Sequence, residues 1–100
     1  MTGTSMLAHE SLVGLIEEAL GLMCRLLPIL KEHPDAPVTP EEIERYERFL
    51  DQLSVQRPGD QRLADEAWDW IWAERDCGTV TNLQLYGRVA FISYELFHFL

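Results

Sequence analysis

The chain has little positive charge, few cysteines and histidines and no long uninterrupted apolar run. Its 8 Lys and Arg face 17 Asp and Glu, a formal charge of -9 over 100 residues, and this balance opposes direct binding to a nucleic-acid backbone or an anionic membrane. The 2 cysteines and 3 histidines are scattered at Cys24, Cys77, His9, His33 and His98, so no zinc spacing emerges. Cys24 lies in an apolar helical run and is expected in the core, Cys77 stands beside a helix stop, and two free thiols fit a reducing cytoplasm. The 6 glycines are isolated and form no phosphate-cradling loop. Glu17, Glu18 and Arg25 interrupt one apolar segment and Arg88 and Glu95 another, so neither a signal peptide nor a membrane span is expected.

What remains is helical patterning in one domain of ordinary apolar content, 47%. Apolar residues from Leu12 to Leu30 recur at helical spacing over a wide arc, which predicts a helix over about 5–32, kinked or loosened at Pro28. Pro34 and Pro37 break it. Val38-Thr-Pro-Glu-Glu-Ile43 then has the grammar of a helix start: Thr39 caps, Pro40 takes the first helical position, Glu42 closes a capping box and Val38 staples Ile43. A second helix over 40–53 follows, with Tyr46, Phe49, Leu50 and Leu53 on its buried stripe and favourable Glu41/Arg45 and Glu44/Arg48 pairs outside. Ser54 to Gly59 is expected to turn, and Asp60 to cap a third helix over 61–76 that ends at Gly78. Val80-Thr-Asn-Leu-Gln-Leu85 repeats the start grammar for a helix over 82–99, whose core face runs Leu85, Val89, Ile92, Leu96 and Phe99. Together these predict an all-α, compact four-helix bundle-like domain.

The third helix is the unusual one. All 3 tryptophans of the chain, Trp68, Trp70 and Trp72, sit in it among carboxylates. At about 100° per residue, Trp70 shares a face with Leu63, Ala67 and Ile71, which assigns it to the core, whereas Trp72 points away beside a ridge of Asp65, Asp69 and Asp76. Exposed aromatic area edged by carboxylates suits protein recognition, since the ring supplies contact and the acids supply steering. The candidate partner-binding residues are therefore Asp65, Glu66, Asp69, Trp72 and Asp76, joined by Glu44, Glu47 and Asp51 of the preceding helix. Glu47 and Asp51, one turn apart, repel each other, which helix stability alone does not favour.

Other chemistries find less support. Glu95-Leu-Phe-His98 has the spacing of a carboxylate-bridged di-metal helix, but a second copy and two further inward carboxylates are lacking, so no metal or cofactor is expected. Cys77 beside Arg75 is at best a reactive thiol, and no catalytic constellation stands out. In size, charge and helix count, without a shared motif, the chain resembles small acidic helical inhibitors: bacteriocin immunity proteins, antitoxins and phage-encoded anti-CRISPR proteins. That resemblance implies a non-enzymatic inhibitor or adaptor that docks on the basic surface of a larger, nucleic-acid-handling protein. The alternative is a helical homodimer, whose wide apolar arcs on the first and last helices are covered by a second chain; Phe91, among polar neighbours, marks one place for such a seam.

Overall fold

The computed structural model describes residues 2–56 and 62–99, with side chains from residue 10 onward except those of residues 76 and 77. Among the described residues four helices make an all-α, bundle-like fold: α1 (Thr2–Glu32), α2 (Pro40–Gln56), α3 (Arg62–Cys77) and α4 (Asn82–Phe97). The 47 Å long dimension of the molecule is set by α1, whose 31 residues span roughly 46 Å at about 1.5 Å each. Pro28 lies inside α1, which nevertheless runs on to Glu32. α1 packs chiefly along α4 and also on α2, while α3 packs on α2.

The core is the set of faces these contacts bring together. Leu15, Ala19 and Leu26 of α1 meet Tyr46, Leu50 and Leu53 of α2 and Leu85, Val89, Ile92 and Leu96 of α4, all fully or nearly fully buried. α3 adds Ala64, Ala67 and Ile71; burying a side chain such as Ile71 is worth roughly 1.5–3 kcal/mol. Two neighbours cannot cover the whole apolar arc of α1, so Leu20, Leu27 and Cys24 are exposed. Cys24 is thus a surface thiol and not a core residue. Phe99 is likewise exposed, because α4 ends at Phe97, short of the expected 99.

Two connections fix the bundle at one end. The loop after α1 lies against the loop before α4: Val38 N–H donates to the Val80 carbonyl at 2.8 Å, and the Asn82 and Leu83 N–H groups donate to the Ala36 and Pro34 carbonyls, each at 3.0 Å. The Asn82 side chain, buried, adds a bond to the His33 carbonyl at 2.9 Å. Gln84 N–H donates to Thr81 Oγ1 at 3.2 Å and Thr81 N–H to Gln84 Oε1 at 3.0 Å, completing the expected capping box. The first three backbone donors of α4 are thereby all satisfied.

α2 starts differently. Thr39 Oγ1 accepts from Glu42 N–H at 3.3 Å, but the Glu42 carboxylate does not return to Thr39; it accepts from Arg25 of α1 at 2.8 Å. A cation from another helix outcompetes the local bond, so the box is half made. At its other end α2 continues to Gln56 and not to 53. The Ser54 hydroxyl accepts from Trp68 Nε1 at 3.0 Å, which ties the added turn to α3. Asp60, expected to cap α3, lies outside the described residues.

Candidate functional site

The candidate site lies along the seam between α2 and α3. On α3 the buried residues are Ala64, Ala67 and Ile71, so the inward direction falls between Ala67 and Ala64 and the tryptophans distribute around it. Trp68 leans toward α2 and is half-buried, its indole N–H held by Ser54. Trp70 leans toward α4. It is half-buried and not core as expected, because its ring fills the margin between elements: Tyr46 meets it edge-on, with centroids 6.2 Å apart and planes at 89°, and the Arg88 guanidinium of α4 lies over its face at 4.9 Å.

Trp72 is 55% exposed, as its angle on the helix predicts. It is nonetheless held. Its ring stacks on Trp68, one turn back, with centroids 6.4 Å apart and planes at 25°, and the Arg75 guanidinium covers it at 5.5 Å. Arg75 in turn donates to Glu47 of α2 at 2.8 Å. Trp68, Trp72, Arg75 and Glu47 therefore form one chain of contacts across the seam, and its outermost member is an oriented aromatic ring.

The expected acids divide by what they touch. Asp65, Glu66 and Asp69 are exposed and form no ion pair among the described residues. At about 100° per residue, Trp72, Asp65 and Asp69 share the outward side of α3, with Glu66 farther round; the side chain of Asp76 lies outside those described. On α2, Asp51 is exposed and unpaired among the described residues, whereas Glu44 pairs with Arg48 and Glu47 with Arg75. The Glu47–Asp51 repulsion is thus relieved by a cation from α3. Arg25 is spent on Glu42 and Arg45 on Glu41 (3.3 Å), so four of the five carboxylates of α2 are paired, whereas Asp65, Glu66 and Asp69 of α3 are in no ion pair among the described residues. Glu42, through its hydrogen bond first and its charge second, holds the Arg25 guanidinium above its ordinary range.

Beside this patch Val38, Pro40, Ile43, Glu44, Glu47, Arg75 and Val80 line an open hollow of about 470 Å³. Its carboxylates are those already paired, so it extends the patch without adding a free acid. The His98 ring lies at the end of α4: Nδ1 donates to the Tyr94 carbonyl at 3.0 Å and the ring meets Tyr94 edge-on at 4.6 Å. No group of three or more His, Cys, Asp or Glu at metal-binding distances occurs among the described residues. No helix among them is long and apolar enough to cross a membrane.

What residue-by-residue reasoning missed is the latch formed by Trp68, Arg75 and Glu47. Its signal was present in part, since Trp68 and Trp72 are four residues apart and Arg75 follows by three, the spacings at which helical side chains meet. The partner on α2 has no such signal. Compared with protein families, curated proteins and solved structures, the chain matches none.

Proposed function

We propose that the protein is a non-enzymatic binding protein, an inhibitor or adaptor, that docks the Trp72 side of α3 on a basic surface of a larger protein. The observation that carries this reading is the exposed Trp72, stacked on Trp68 and covered by Arg75, beside Asp65 and Asp69, acids that form no ion pair among the described residues. Ordering a long side chain at an interface costs about 0.5–1.5 kcal/mol, and the Trp68 stack and the Arg75 cover remove much of that cost for Trp72 before any partner arrives. Aromatic anchors in the centre of a patch dominate binding energy, and charges at its edge steer encounter. Carboxylates one helical turn apart present evenly spaced negative charge, the pattern that Lys and Arg on a nucleic-acid-handling protein are arranged to meet. Occupying such a surface blocks nucleic acid from it, which is how a small acidic domain inhibits.

The test is a pull-down from host or target-cell lysate with immobilised wild-type chain and with the Asp65→Lys/Asp69→Lys and Trp72→Ala chains, followed by binding kinetics with the retained protein. The reading expects a basic protein retained by wild type alone. Charge reversal slows association by about tenfold or more at low salt, and Trp72→Ala chiefly speeds dissociation. A protein that binds all three chains alike overturns it.

A further inference from the structure

We infer that the outward face of α4 is a seam for a second copy of this chain, packed antiparallel about a two-fold axis. α4 buries Leu85, Val89, Ile92 and Leu96. On the opposite side, at about 100° per residue, fall Leu83, Gly87, Ala90, Tyr94 and Phe97, spaced four, three, four and three. That alternation is the seam of a coiled coil. Leu83, Tyr94 and Phe97 are exposed, Tyr94 at 62%, and Phe91 flanks them, also exposed. A helix serving only its own core carries polar residues there.

Charge and shape select the occupant. Of a chain at -9, α4 is the neutral element, its charges being Arg88 and Glu95, so two copies that repel elsewhere approach most easily through this face. A basic partner or an anionic membrane gains no steering from it. The seam is also self-complementary. Antiparallel packing sets Gly87 against Phe97 of the second copy and Ala90 against Tyr94 of the second copy, a small residue facing a large one each time, and brings Arg88 to within one residue of the level of Glu95 of the second copy. Parallel packing instead sets Tyr94 on Tyr94 and Gly87 on Gly87. A hollow of about 420 Å³ lined by Trp70, Leu83, Gln84, Gly87, Arg88 and Phe91 extends this face toward α3. The large side chains of the seam, with Phe91, bury on the order of 1,000 Å² over both copies, at the lower edge of stable interfaces.

Sedimentation equilibrium of the full chain tests this. Wild type at about 100 µM is expected at twice the 11.6 kDa chain mass, and Tyr94→Lys and Phe97→Lys, with circular dichroism unchanged, raise the dissociation constant at least about tenfold. The Ala90→Glu chain is expected to be monomeric alone and to dimerise when mixed with the Tyr94→Lys chain, because the register opposes those two positions. The Asp65→Lys/Asp69→Lys chain dimerises at least as tightly as wild type, since it carries less of the repulsive charge, which separates this seam from the acidic patch. A wild-type monomer at about 100 µM, lysine variants that stay dimeric, or folded complementary chains that fail to pair overturns the inference.

Discussion

At the scale of single residues, Tyr46 shows what packing imposes on a polar group. Its side chain is fully buried beneath α3 and α4, its ring meets Trp70 edge-on, and its hydroxyl has no hydrogen-bond partner among the described residues. Burial raises the phenol well above its ordinary pKa, offset in part by the nearby Arg88 charge. Tyr46→Phe removes an unsatisfied donor while keeping the ring, so urea unfolding near neutral pH is expected to show equal stability or a gain of up to about 1 kcal/mol. The pH dependence has a definite sign. An unfolded Tyr46 releases its proton near the ordinary phenol value of 10.0 while the native one holds it, so stability is full below about pH 10 and falls as the pH climbs from there toward the raised native value. Tyr46→Phe lacks this alkaline loss, and unfolding curves of both proteins between pH 8 and pH 11, a range of about three units around that value, check it. Tyr46 was legible in the sequence as core, from its place with Phe49, Leu50 and Leu53. Its orphan hydroxyl was not, since that depends on which side chains of α3 and α4 close over it.

Helix starts were the most legible elements, and they also show where local grammar stops. Thr81 and Thr39 sit in matching sequence contexts, each followed three residues on by Gln or Glu. Around Thr81 both box bonds form; around Thr39 the Glu42 carboxylate is drawn away by Arg25, 17 residues earlier in the chain, a competitor that no window around Thr39 contains. Thr81→Ala is accordingly expected to cost about 1–2 kcal/mol in urea unfolding, since it also loosens the end of α4 where the two loops are joined by backbone bonds. Thr39→Ala, losing a single 3.3 Å bond, is expected near the low end of the capping range, about 0.5 kcal/mol. Equal costs for the two count against this account. Gly78 was read as the stop of α3 from its position alone, and its φ of 141° is a backbone conformation that glycine adopts without strain. The tryptophan helix was legible in its outward half, Trp72 with Asp65 and Asp69, but its inward direction was misjudged toward Trp70. Two small residues, Ala64 and Ala67, let α3 sit close, and the larger Trp70 ring was left to the margin, where Arg88 covers it.

Over the whole molecule, charge is unevenly assigned, and that separates the two surfaces by an observable. Ten of the 17 acids lie on α2 and α3, where the arginines of α1 and α3 pair with α2 and Asp65, Glu66 and Asp69 form no ion pair among the described residues; α4 is neutral. Contact between the acidic patch and a basic protein is attractive at long range and is screened by salt, whereas approach of two copies of this chain, each at -9, is repulsive at long range and salt relieves it. Raising ionic strength from about 0.01 M to about 0.15 M shortens the screening length from roughly 30 Å to roughly 8 Å, less than the 20 Å shortest dimension of the molecule. Over that interval the association rate with a basic partner is expected to fall by tenfold or more, while self-association tightens by a few-fold or holds constant. Stopped-flow association and sedimentation in the same salt series measure the two together. Self-association that weakens with salt requires a charged interface in place of the α4 seam, and partner binding indifferent to salt requires that Trp72 act without Asp65 and Asp69.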